Sequence, residues 1–134
     1  MSKKASLADQ LARAAQGIVL PSEFDGHFSV VQWPNAEIPK TPSAFRQLAE
    51  IPPQSPVESF DASALISRLG GELSTDGADV KRMRAKFRKL AEFLRGNLND
   101  LRGFRVGNIN VELYILGASS DGEVLGLKAL GVET

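Results

Sequence analysis

The chain has no cysteine, one histidine, one tryptophan, one tyrosine and no excess charge of either sign. Each scarcity excludes some chemistry. Without cysteine there is no disulfide framework, no thiolate metal site and no thiol nucleophile. A lone His27 leaves no cluster of imidazole ligands and argues against a Ser-His-Asp triad. No apolar run approaches the roughly 20 residues of a membrane span, and the opening Met1, Ser2, Lys3 and Lys4 lead into no signal-peptide core. Sixteen basic residues balance sixteen acidic ones, which weighs against wholesale attraction to nucleic acid or anionic lipid. The expectation is a cytoplasmic protein with no membrane association.

What is present is a globular composition, 43% hydrophobic and 24% charged over 134 residues. That length predicts a single domain, 1-134, large enough to bury a core without staples. A helix is expected from about Ser6 to Gln16, with Ser6 as N-cap and Gly17 as the left-handed exit. Ile18 to Leu20 is a short apolar run stopped by Pro21. Phe28 to Trp33 reads as a strand ending at Pro34. Thr41 and Pro42 have the chemistry of a helix start, and Pro52, Pro53 and Pro56 enforce an extended connector. A short strand at Val57 to Phe60 precedes a helix capped by Asp61 and ended by Gly70 and Gly71. From about Ala78 to Asn97, Val80, Met83, Phe87, Leu90, Leu94 and Leu98 recur at helical spacing. Ile109, Val111, Leu113 and Ile115 then alternate with polar neighbours in a strand that Gly117 closes. Asp121 and Gly122 turn the chain back into Val124 to Leu130. Gly126 inside that return strand predicts a bulge or a close backbone approach. Elements in this order favour an antiparallel or mixed sheet covered by helices.

Few features carry chemistry. Lys81, Arg82, Arg84, Lys86, Arg88 and Lys89 place six cations in nine residues, and residues 76–102 are net +4 against −4 for the rest. They could form a phosphate-binding helix. Helical turning, however, puts all six on the arc opposite the apolar positions, and no aromatic residue is interleaved for base stacking. A solvated face is the favoured reading, so direct nucleic-acid binding is not expected. His27 beside Glu23 and Asp25 could do acid–base work but reads better as a surface histidine. The glycines of 103–107 and 117–122 lack the spacing of a phosphate cradle and read as turns. No catalytic constellation emerges, so the chain is not expected to be an enzyme, and no cofactor is implied. Pro21 to Gly26 reads as an exposed acidic loop with Ser22, Glu23 and Asp25. The chain end, Gly131 to Thr134, follows the last strand directly and offers a carboxylate, a hydroxyl and Glu133.

Order and spacing at both ends of the chain resemble the nuclease A inhibitor family. The matching residues begin with Gly17-Ile18-Val19-Leu20, Ser22-Glu23, Phe28 and Trp33. They continue through Lys86-Phe87, Lys89-Leu90, Asn97-Leu98, Arg105-Val106-Gly107 and the run Val111 to Gly117. Gly126 and the closing Val132-Glu133-Thr134 complete the match. The resemblance implies a three-layer α-β-α sandwich with a largely antiparallel central sheet. It implies a protein inhibitor of metal-dependent, sugar-non-specific nucleases, monomeric when free and of bacterial type. A glutamate from the early loop would enter the nuclease cleft and the terminal threonine would reach the partner's metal region; the matching positions are Glu23 and Thr134. Ser22, Asp25, Glu133 and Trp33 complete the expected partner-binding set, and the inhibitor would bind no metal of its own. Two alternatives stand beside this one. The first is an interaction module of the same fold with a non-nuclease partner, and the second is nucleic-acid binding through the basic helix 81–89.

Overall fold

The computed structural model describes residues 6–18, 28–71, 77–108 and 111–130. Helix α1 (Leu7–Ala15) starts where the Ser6 hydroxyl accepts the Asp9 amide at 3.1 Å, and it ends before Gly17, whose φ of 78° is the left-handed exit. Strand β1 (Ser29–Trp33) follows, then α2 (Pro42–Leu48), where Thr41 Oγ1 accepts the Ala44 amide at 3.0 Å. The proline connector is pinned by Arg46, which donates to the Pro52 and Ser55 carbonyls at 2.6 and 2.8 Å. Strand β2 (Val57–Phe60) leads into α3 (Ala62–Gly70), capped by Asp61 Oδ1 on the Ala64 amide at 3.1 Å. The long helix α4 (Ala78–Asn97) feeds β3 (Asn99–Val106), β4 (Glu112–Ala118) and β5 (Val124–Leu130). All three side-chain caps fall on the residues whose chemistry predicts them.

The five strands form one sheet in the order β1-β5-β4-β3-β2, with every neighbouring pair antiparallel. Because successive side chains of a strand point to opposite faces, the sheet has two apolar sides, and helices cover both. On one side Ile115, Leu125, Leu127 and Ala129 pack under α1, α3 and α4, with Leu11, Ile66, Phe87, Leu90 and Leu94 fully buried among them. On the other, Phe104, Val106, Tyr114, Leu116 and Val124 pack around Phe45 of α2. This is the expected α-β-α sandwich. Its second cover is thin: one seven-residue helix plus the segments that flank it.

Three local expectations are corrected. Gly103 is not in a turn. It sits within β3, between β2 and β4, where an added Cβ would run into the Phe60 ring. Only Gly107, with φ 95°, turns the chain. Second, Gly117 does not close β4, which continues to Ala118; a Cβ at 117 would lie 2.6 Å from that of Leu98. Third, Arg84 is not on a solvated arc. It is 4% exposed, and its guanidinium donates to the Leu69 carbonyl at 3.0 Å while Arg88 donates to the Gly70 carbonyl at 2.7 Å. The last carbonyls of α3 have no partner within their own helix and carry the negative end of its dipole. Two arginines one turn apart on α4 satisfy them, locking the helices together. Gly126 makes the close approach rather than the bulge: it stays in register opposite Leu116. Ile109 and Asn110 lie outside the described residues.

Candidate functional site

The antiparallel register fixes where the two acidic segments join the scaffold. Ser29 pairs with Lys128 and Val30 with Leu127, so β1 begins beside the end of β5. Phe28, which follows residues 19–27, and Leu130, which precedes residues 131–134, therefore lie at the same end of adjacent strands. Adjacent strands are separated by about 4.8 Å.

The residues on either side of 19–27 are held in one core. Ile18 is 1% exposed and belongs to the cluster under α1 and α4. Phe28 packs into that same cluster with its ring 6.0 Å from Phe87. Ala129 of β5, one residue before Leu130, is buried there as well. Ser22, Glu23, Asp25, His27, Glu133 and Thr134 lie outside the described residues.

Trp33 is the one expected partner-binding residue that is described, and it lies elsewhere. It closes β1 opposite Val124, at the far end of the strand from Phe28. There it is half-buried, edge-on to Phe45 at 6.3 Å. It belongs to the packing of the thin face and lies away from the sheet end that carries Phe28 and Leu130.

A group that sequence reasoning missed stands at that end. Lys128 Nζ lies 2.5 Å from Glu112 Oε2 and 5.8 Å above the Tyr114 ring, with Leu130 directly across from Glu112. Leu130 is 47% exposed, the one large hydrophobic side chain so exposed among the described residues. The signal was available in principle: Glu112, Tyr114, Lys128 and Leu130 are the even positions of a hairpin whose register follows from its turn, hence one face. Here a charged pair and an aliphatic side chain border the exit of the chain end.

Burial, reinforced by the Glu112 carboxylate and opposed by Lys128, holds the Tyr114 phenol above its ordinary value of 10.0. The hydrogen bond to Glu112 chiefly holds the Lys128 ammonium above 10.5, against the effect of burial. Both groups thus bind their protons more tightly folded than unfolded. The stability they contribute is complete below pH 10 and is lost as pH rises through the folded values. Thermal melts across that alkaline range should show a falling midpoint, and Tyr114→Phe should make the fall shallower. An equally steep fall in the variant would show that Tyr114 contributes nothing to it.

Among the described residues, no group of three or more His, Cys, Asp or Glu side chains could hold a metal ion, and no helix is long and apolar enough to cross a membrane. Comparison with known proteins adds one match: the family model described as nuclease A inhibitor-like protein covers residues 5–134. A search of curated proteins finds no match to this chain.

Proposed function

The chain belongs to the nuclease A inhibitor-like family, and from that premise we propose that it blocks a metal-dependent, sugar-non-specific nuclease by occupying its active site with Glu23 and the carboxyl terminus at Thr134. The observation that carries this reading is the pairing of Ser29 with Lys128, which puts the bases of both segments side by side. Glu23 is five residues from Phe28, and Thr134 is four from Leu130. At about 3.5 Å per residue neither can stray more than about 18 Å from its base. Two short tethers on neighbouring strands, rooted in a shared core, suit entry into one cleft.

The chemistry follows from what a nuclease site is built to hold. Such a site offers cations, a general base and a hard metal ion around the scissile phosphate. Magnesium prefers oxygen ligands and keeps several waters, so a carboxylate can replace one of them or sit where the phosphate would. Having no phosphodiester bond, that carboxylate is not turned over. Arginines of the site would add charge-assisted hydrogen bonds. Anchoring at Ile18, Phe28 and Ala129 lowers the ordering cost that a free peptide would incur. Ser22, Asp25 and Glu133 flank the two prongs as secondary contacts. Trp33 contributes through the scaffold, by packing on Phe45. Action is stoichiometric rather than catalytic, by a single-domain monomer in the cytoplasm.

The test is DNA cleavage by nucleases of this class, titrated with wild type, with Glu23→Ala and with a chain lacking Thr134. Each variant should weaken inhibition by at least about thirtyfold, equivalent to about 2 kcal/mol for the loss of a central desolvated contact. Wild-type potency in both variants, or no inhibition by the wild type, would rule the mechanism out.

A further inference from the structure

The exposed surface of α4 is a second candidate for recognition, independent of the inhibitor reading. It presents Lys81, Arg82, Lys86, Arg88, Lys89 and Arg95, opposed on the helix only by Asp79 and Glu92. Some of these cations have structural work. Arg82 pairs with Asp79, Arg88 binds the end of α3, and Arg95 reaches the Ser67 hydroxyl at 3.5 Å. Lys81, Lys86 and Lys89 form no ion pair among the described residues.

At 100° per residue the six form two stripes. Lys81, Arg88 and Arg95 recur every seventh position along the side facing α3. Arg82, Lys86 and Lys89 run parallel to them, with Ala85, Glu92 and Gly96 between. From Lys81 to Arg95 the array extends about 21 Å along the helix axis.

An ordinary solvated face mixes the two signs. This one sets six cations against two carboxylates, and Arg82 with Lys86 and Lys86 with Lys89 are like charges at helical neighbour spacing, which repel. A polyanion laid along the helix relieves that repulsion. The same surface lacks what a protein partner would need. Protein interfaces are organised around apolar or aromatic anchors, yet the exposed large hydrophobic among the described residues is Leu130, on the opposite face of the sheet. Phe93 is half-buried and packs inward against the core, so no ring is presented for base stacking. Cations without anchors or stacking platforms match a phosphate backbone and nothing base-specific. We infer that the outer face of α4 binds the sugar-phosphate backbone of nucleic acid without sequence preference.

The probe is a fluorescein-labelled DNA duplex of about 20 base pairs, followed by anisotropy with the full chain. Wild type should bind in about 50 mM salt. With about three phosphate contacts, it should lose about fortyfold in affinity by about 200 mM. The triple variant Lys81→Glu, Lys86→Glu, Lys89→Glu should bind at least tenfold more weakly at the lower salt while still melting cooperatively. The corresponding triple change to Gln should give a smaller loss, and to Arg none. Glu23→Ala should bind the duplex as wild type does, which separates this inference from the inhibitor mechanism. No anisotropy change at low salt, undiminished binding by both the Glu and the Gln triples, or tighter binding to poly-glutamate or phosphatidylserine vesicles than to DNA would overturn it.

Discussion

Phe45→Ala is expected to destabilise the fold by about 3–5 kcal/mol, the range for emptying a fully buried aromatic site. Phe45 is 0% exposed and is the only buried side chain of α2. Its ring stacks on Phe104 at 4.5 Å and 2°, meets Tyr114 at 4.9 Å and 60°, and takes the edge of Trp33 at 6.3 Å. Three aromatic neighbours converge on one ring, and such pairs contribute beyond the area they bury. The opposite face has three helices to share its core among, so no single side chain there carries a whole layer. On this face nothing replaces Phe45. Urea denaturation should show a midpoint far below that of wild type with a similar slope. A midpoint within experimental scatter of wild type would mean that α2 does not seal the sheet.

The fold was largely legible because most local signals agree with it. Ser6, Thr41 and Asp61 announce helix starts by side-chain chemistry that needs no tertiary context. Gly17 and Gly122 announce exits and turns, and both have φ near 78°. The β3 strand was not legible, for a physical reason. Its sequence opens with Asn99 and Asp100 and contains Gly103, all residues that disfavour strands. Asp100 has φ 52°, and the register shifts between Asn99 and Arg102, so the strand begins with an irregularity that reads as a turn. It is a strand because β2 and β4 supply hydrogen-bonding edges on both sides, which is information held elsewhere in the chain. The burial of the even positions of β4 was not legible either. Tyr114 looks polar-facing by alternation, yet a second helical layer buries it.

The candidate site divided along a similar line. The resemblance pointed to Glu23 and Thr134, but nothing local says that Phe28 and Leu130, from which those two distant segments continue, stand at the same end of neighbouring strands. That follows only from β1 pairing with β5. Arg84 shows the opposite failure: helical turning assigned it to water, whereas the end of α3 arrives beside it and needs its protons.

Because β5 lies between β1 and β4, it holds Phe28 and Leu130 in place beside one another, and Gly126 is where it is most constrained. A methyl group there would collide with the Ile115 carbonyl oxygen and lie 2.8 Å from the Leu116 Cα. Both are main-chain atoms of β4, so no side-chain rotation relieves the contact and the strands must separate. Gly126→Ala should therefore cost about 3 kcal/mol, the upper part of the range for overpacking. Gly103→Ala makes a useful control, since what it meets is the half-buried Phe60 side chain of the short edge strand β2, which can shift at less cost than the main chain of a central strand. Denaturation should rank wild type, Gly103→Ala and Gly126→Ala in falling order of stability. Nuclease inhibition should separate the two variants further. Moving β5 off β4 displaces Leu130 and, through β1, Phe28. Inhibition by Gly126→Ala, corrected for its folded fraction, should fall at least about tenfold, while Gly103→Ala, whose strain stays at the opposite edge, should inhibit as wild type does. Equal loss in both would mean that inhibition tracks overall stability and owes nothing to the alignment of β1 with β5.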